Sequence, residues 1–189
     1  MFRKCEYVPT LETDRLILRE LEASDADDLQ EWFCLKEMYT YWGTPAPREG
    51  FQVADLFIDP RPHVKRKPDK GFMWGMVEKE TGKVIGIMEI FDVERERVGT
   101  VGYRVSPNRW RKGYCSEALQ RVIKFAYTET KLDRLWTDVD VNNIASNRVV
   151  EKCGFILEGT IRHGKCGSRF CDYNTWGLLR EDFEKLELM

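Results

Sequence analysis

The sequence predicts a mixed α/β (α+β) fold: a mostly antiparallel sheet flanked by helices, with one central pair of parallel strands. Two observations predict it. Three strand-like runs follow one another between Phe72 and Val105 with only short turns between them, which gives an antiparallel half-sheet. A strand, basic turn, amphipathic helix and strand then run from Gly99 to Val141, and such a crossover makes its two strands parallel if they share a sheet. A chain of 189 residues, 42% hydrophobic, supplies core enough for a single domain spanning 1–189.

Taken in order, Leu16 to Leu21 alternates apolar and polar residues and reads as a first strand. Ser24-Asp25 opens a helix, along which Ala26, Leu29, Trp32, Phe33 and Leu35 recur at helical spacing. Gly43, Pro45 and Pro47 end that pattern, and a second helix is expected around Glu49 to Ile58. Asp59 to Gly71 holds three prolines and the basic cluster of residues 63–70, and reads as an exposed loop. Phe72 to Glu78 and Lys83 to Phe91 flank the turn Glu80-Thr81-Gly82 as a hairpin, and Gly99 to Val105 continues the sheet. Ala118, Leu119, Val122, Ile123, Ala126 and Tyr127 mark one face of a helix. Leu135 to Val141 is the next strand. Ala145, Val149, Val150 and Cys153 trace a shorter helix stopped by Gly154, and Phe155 to Arg162 and Phe170 to Leu178 supply the last two strands.

Lysine plus arginine (30) nearly balance aspartate plus glutamate (32), which argues against the broad basic surface that nucleic-acid binding needs. No run approaches the roughly 20 apolar residues of a membrane span, and the opening segment lacks the apolar stretch of a signal peptide. The expectation is a soluble, cytoplasmic protein without nucleic-acid or membrane partners. Six cysteines include no C-x-x-C pair; Cys166, Cys171 and His163 match no common zinc spacing, so no metal site and reduced structural thiols are expected.

The turn RWRKGYCSEAL, Arg109 to Leu119, carries the chemistry. Gly113 lets the backbone turn tightly, Arg111 and Lys112 add positive charge, and Ser116 is placed to cap the following helix. Unpaired amides at a helix N-terminus, the macrodipole and two cations together make an anion site that suits a pyrophosphate. Neither G-x-x-x-x-G-K-S/T nor G-x-G-x-x-G occurs, so neither a nucleoside-triphosphatase loop nor a dinucleotide fingerprint is supported.

Three segments in sequence carry a resemblance: TLETDRLILREL (Thr10 to Leu21), VGYRVSPNRWRKGYCSEAL (Val101 to Leu119) and VNNIASNRVVEKCGF (Val141 to Phe155). Together they resemble the GNAT superfamily of N-acetyltransferases and, within it, the RimJ/RimL-like branch. The resemblance implies a GNAT sheet whose strands ending near Val105 and Val141 splay apart, with acetyl-CoA as cosubstrate inserted between them. It implies that the amides of Arg111, Lys112, Gly113, Tyr114, Cys115 and Ser116 hold the pyrophosphate and that the backbone of Tyr103, Arg104 and Val105 pairs with the pantetheine arm. Asn143, Ser146 and Asn147 match the segment flanking the arm and thioester, and Lys152 is a further phosphate candidate. Cys115 stands where the family has glycine or alanine, with a sulfur that could crowd the phosphate.

Acetyl transfer to an amine needs a neutral nitrogen, a polarised thioester carbonyl and a proton for the departing thiolate. Many GNAT enzymes supply that proton from a tyrosine on the short helix after Asn143, but the matching position here is Val150. Ser146 takes its place as the candidate acid, although a serine there equally suits a helix N-terminus. Glu89, within IGIMEIF, is the first candidate for guiding the amine or relaying its proton, with Asp138 and Asp140 beside it; each equally suits a solvated or ion-paired carboxylate. Tyr173 and His163 are outside candidates, and Trp42, Trp74 and Trp176 are expected to pack. The branch resemblance points to a protein N-terminal α-amine of the ribosomal-protein kind as acceptor, with a small amine (polyamine, amino acid or antibiotic) or a non-catalytic coenzyme A-binding module as alternatives, in a monomer or homodimer.

Overall fold

The computed structural model describes residues 8–48, 50–53, 71–95 and 97–187. Eight strands form one sheet: β1 (Leu11–Glu12), β2 (Leu16–Arg19), β3 (Phe72–Glu78), β4 (Val84–Glu94), β5 (Val98–Val105), β6 (Arg134–Asp140), β7 (Ile156–Cys166) and β8 (Arg169–Leu179). Their order is β1-β2-β3-β4-β5-β6-β8-β7, and among the described residues β5 with β6 is the one parallel pair. The described α-helices are α1 (Ala26–Phe33), α2 (Tyr114–Glu129), α3 (Ile144–Lys152) and α4 (Arg180–Glu187), with short 3-10 turns at Ala23–Asp25, Lys36–Tyr39 and Pro107–Arg109.

Period-two alternation sorts the sheet's side chains onto two faces. One face (Trp74, Met88, Ile90, Val101, Val105, Leu135, Val139) packs on the apolar stripe of α2, where Leu119, Val122, Ile123, Phe125 and Ala126 are buried. Each such large side chain contributes roughly 1.5–3 kcal/mol on burial. The other face carries a second cluster, in which Leu29, Trp32 and Phe33 of α1 cover Val77, Val84 and Ile87. Helices on both faces thus leave the sheet's middle and its β7–β8 end to form the site.

The parallel pair is short. Val98 to Thr100 face Arg134 to Trp136, after which β6 continues against β8 as far as Asp140 and Tyr173 while β5 turns away. Among the described residues the edge of β5 beyond Thr100 therefore has no strand neighbour, which is the expected splay.

Several expectations are revised. The helix and loop expected at Glu49 to Ile58 and Asp59 to Gly71 lie largely outside the described residues; Gly50 to Val53 is turn and irregular chain. Two elements went unread: β1, only two residues long, and α4, whose polar sequence hides one anchor, Phe183 packed 5.5 Å from the Tyr127 ring. The last two strands run further than expected, to Cys166 and from Arg169, and their hairpin brings Cys166 and Cys171 into a disulfide. That overturns the reading of these two as reduced thiols: spacing along the chain says nothing of proximity across a hairpin, which places their Cα atoms 6.2 Å apart. Cys34, Cys115 and Cys153 are free thiols.

Candidate active site

The turn between β5 and α2 is built to present backbone amides. Arg111 (φ 62°) and Gly113 (φ 82°) both adopt left-handed backbone, and the chain enters α2 at Tyr114. Gly113 is itself the N-cap, and the first helical bond runs from the Glu117 amide to the Gly113 carbonyl at 3.1 Å. Ser116, expected to cap, instead lies buried in the first turn; a glycine in left-handed conformation had already supplied the cap. Among the described residues, the amides of Arg111 to Ser116 donate no hydrogen bond, so they form the run of orphan donors an anion would satisfy. A pyrophosphate fits this cradle.

Cys115 does not crowd it. Its thiol turns into the core beside Tyr103 and Cys153, where burial, then the neighbouring Cys153, push its pKa up. Cys153 Sγ lies 3.6 Å from the Ser116 carbonyl, which ties the end of α3 to the start of α2 and leaves Lys152 exposed beside the cradle.

Two ionic braces that sequence reasoning missed fix the turn. Glu78, 3% exposed, accepts from Arg109 at 2.9 and 2.7 Å, Tyr114 Oη at 2.6 Å and Thr81 Oγ1 at 2.7 Å. The Arg109 guanidinium, aided by the two hydroxyls against the opposing effect of burial, holds the Glu78 carboxyl down at about 2. Glu117 accepts from Thr13 Oγ1 at 2.6 Å, the Arg15 amide at 3.0 Å and Arg15 Nε at 2.7 Å, while Arg15 also donates to the Lys112 carbonyl at 2.9 Å. The only sequence signals were charged residues at strand ends, which most chains have.

The free edge of β5 faces the gap. The Ser106 amide donates to Ile85 of β4, so by alternation Arg104 also turns its backbone toward β4 while Tyr103 and Val105 turn theirs toward the gap. The amide and carbonyl of Arg104 thus face the β4 ladder rather than the gap. The Val105 carbonyl accepts from Trp110 Nε1 at 2.7 Å.

Across the gap, Tyr103 Oη lies 2.8 Å from Ser146 Oγ. Burial above all, with Cys115 adding and Ser146 opposing, pushes the Tyr103 phenol well above its usual range, so it is a neutral hydroxyl. Ser146 is not the helix cap, because Asn143 is: its Oδ1 accepts from the Ser146 amide at 3.2 Å. Asn147 is wholly engaged by the fold, donating to the Asp140 and Asn143 carbonyls and accepting from Asn174 Nδ2 and Trp176 Nε1. Its side chain is a brace between α3, β6 and β8. Val150 is fully buried.

On the sheet face opposite α2, Glu89 pairs in register with Gly102, close to Arg104. Asp138 and Asp140 share that face. Asp138 accepts from Thr175 Oγ1 at 2.8 Å, and its pKa is raised by burial against that bond. Asp140 is buried and accepts from Arg169 at 2.6 Å and the Asn142 amide at 2.8 Å. The chain after α1 crosses this face to the β7–β8 hairpin, where the Ser168 amide and hydroxyl both donate to the Gly43 carbonyl, at 2.7 and 2.8 Å. A Cβ on Gly43 would collide with the Cys166 carbonyl, so this approach needs glycine. Trp42 is not simple packing: it is 38% exposed and covers Arg104. Trp74 and Trp176 are buried, as expected. Tyr173 lies on β8 opposite Asp140, and His163 stacks on Phe170 out in the hairpin.

A family model described as an acetyltransferase (GNAT) domain matches residues 15–156, which span β2 to the start of β7 and include the amide cradle, Glu89, Tyr103 and Ser146. The chain belongs to the GNAT family. This GNAT protein is 32% identical over 155 residues to the uncharacterized N-acetyltransferase YoaA of Bacillus subtilis, covering 82% of this chain and 86% of that one. Its fold matches a Vibrio cholerae spermidine N-acetyltransferase crystallised with CoA and spermine (TM-score 0.76, 18% identity, 91% and 99% of the two chains). It matches equally a Vibrio fischeri ribosomal-protein-S5-alanine acetyltransferase (TM-score 0.73, 19% identity, 92% and 98%). At those identities the structures establish the fold alone.

Family, sheet and amide cradle together make this GNAT chain an acetyl-CoA-dependent N-acetyltransferase. Among the described residues no group of three His, Cys, Asp or Glu could hold a metal ion, and no helix is long and apolar enough to cross a membrane.

Proposed function

We propose that the acceptor is an α-amino group, of the kind at a protein N-terminus in the RimJ/RimL-like branch, and that it attacks the donor directly in a ternary complex. The observation that carries this reading is the composition of the acceptor face. Glu89 and Asp138 can accept hydrogen bonds from an ammonium and pass its proton to water, while Asp140 is held by Arg169, but a carboxylate is a weak base. An α-amine, with an ordinary pKa of about 8, needs little more, whereas a lysine or polyamine nitrogen near about 10.4 needs far more.

Acetyl-CoA supplies the activated acyl group and the thiolate leaving group. The amides of Arg111 to Ser116, aided by Arg111, Lys112 and Lys152, hold its phosphates; the Tyr103 and Val105 backbone on the free edge of β5 aligns the arm. The Tyr103–Ser146 hydroxyl pair is the proton source for the thiolate, a role the valine at position 150 cannot fill. Glu89 draws the acceptor ammonium in. Asn143 acts through Ser146, by fixing the first turn of α3. The enzyme works in the cytoplasm, as a single catalytic domain.

A small-molecule amine is the second reading, and the Gly43–Ser168 contact supports it, because it closes one side of the acceptor face. Free-thiol release from acetyl-CoA, measured over short peptides with free or blocked N-termini and over a panel of polyamines, amino acids and aminoglycosides, separates the two. Turnover confined to the small amines overturns the N-terminal reading.

A further inference from the structure

Arg104 points away from the donor cradle, into the acceptor face. Its guanidinium lies 3.7 Å from the Trp42 ring centroid and 4.6 Å from that of Phe33, with Tyr39 at 5.6 Å. Among the described residues it forms no salt bridge. Burial lowers its pKa, opposed by Tyr39 and Glu89, so charge here is held at a cost. Aromatic faces partly offset that cost and the Tyr39 oxygen approaches the guanidinium edge, but the ring faces themselves give its in-plane N–H donors no acceptor.

Two further donors on the same face lack an acceptor. The Tyr39 hydroxyl and Arg169 Nε are buried side-chain atoms with no hydrogen-bond partner. All three groups meet under one segment: Tyr39 begins it, the Tyr41 carbonyl accepts from Arg169 at 3.3 Å, and Trp42 covers Arg104. Buried donors left unpaired are costly, and a planar guanidinium beside a hydroxyl suits a carboxylate. Glu89, close enough for its charge to act on Arg104, supplies the opposite charge.

We infer that Arg104, with the Tyr39 hydroxyl, is the acceptor-selecting site of this enzyme and receives a carboxylate carried close to the amine that is acetylated. The inference rests on the α-amine reading and deepens it: the amine is drawn to Glu89 and the carboxylate to Arg104, so the substrate presents both charges. That chemistry has two sources, the α-carboxylate of a free amino acid or the side chain of an aspartate or glutamate next to a protein N-terminus.

The test compares kcat/KM for matched acceptors. One arm uses free amino acids against their primary amides; the other uses peptides differing only by Asp or Asn, and Glu or Gln, at the second position. The carboxylate member is expected to be favoured on the order of tenfold or more in at least one arm, as a charged hydrogen bond in a partly buried site supplies. In Arg104→Gln that ratio falls to about one, and in Arg104→Lys part of it returns. Preference in the peptide arm identifies an acidic N-terminus, and preference in the amino-acid arm alone identifies a free amino acid. Equal kcat/KM within every matched pair, with amines still acetylated, overturns this inference and leaves the α-amine reading standing. A ratio unchanged in Arg104→Gln overturns the assignment to Arg104, and acetyl-CoA binding without turnover of any amine overturns both.

Discussion

Tyr103 and Ser146, on different sides of the gap between β5 and α3, share a hydrogen bond of 2.8 Å. The contact spans the place where the parallel strands part, and it puts a neutral phenol within one hydroxyl of the site where the leaving thiolate must be protonated. Two residues assigned separate roles by sequence, one a backbone contact and one an acid, thus share one hydrogen bond, and the proposed proton donation falls to the pair.

Tyr103→Phe and Ser146→Ala should each lower kcat by about 10- to 100-fold, the lower range for loss of a general acid. Because the two hydroxyls act as one unit, the double variant should be little worse than either single one. Steady-state kinetics with acetyl-CoA titrated separately checks this; additive losses would show two independent roles.

The pH profile follows from the same pair. Burial keeps the Tyr103 phenol protonated far above its ordinary range, so kcat should show no descending limb up to about pH 10. The rising limb should report the acceptor, with kcat/KM climbing through about pH 8 for an α-amine and continuing to rise beyond it for a lysine-like nitrogen.

Gly113→Ala should strain the left-handed N-cap by about 1–3 kcal/mol and disturb the amide cradle, raising the Kd for coenzyme A roughly tenfold. Isothermal titration with coenzyme A measures it. Gly82→Ala has a similar positive φ in the exposed β3–β4 turn, and should lower stability without touching that Kd.

Glu78 should dominate acid sensitivity near the cradle. Its folded pKa of about 2 lies below the ordinary value of 4.5, so it stabilises the fold above pH 4.5, and that contribution is lost as pH falls from there through about 2. Glu78→Gln removes the charge opposite Arg109 and should cost on the order of 2 kcal/mol or more at neutral pH. Its acid transition should be correspondingly shallower in denaturant titrations.

Much of this was legible in the sequence because it depends on local pattern. The stripe from Ala118 to Tyr127 reads as α2, the turns around Gly82 and Gly113 punctuate as expected, and the RWRKGYCSEAL turn falls where strand gives way to helix. What was not legible depends on contacts between distant segments. Arg104 read as a backbone partner of the pantetheine arm, and nothing local says that Trp42 and Phe33 cover its side chain. The roles of Asn143 and Asn147 were assigned by matching a motif, yet their amides cap α3 and brace β8, which only tertiary neighbours reveal. Cys166 and Cys171 failed for the same reason: the hairpin, not the spacing, pairs them.

Thiol release from acetyl-CoA, followed with one short peptide in two forms, its N-terminus free or blocked, and with spermidine in parallel, decides whether this acetyl-CoA-dependent enzyme acts on α-amines. The expected result is turnover with the free peptide, none with the blocked one, and a far lower kcat/KM for spermidine. Turnover with spermidine and none with either peptide would contradict it.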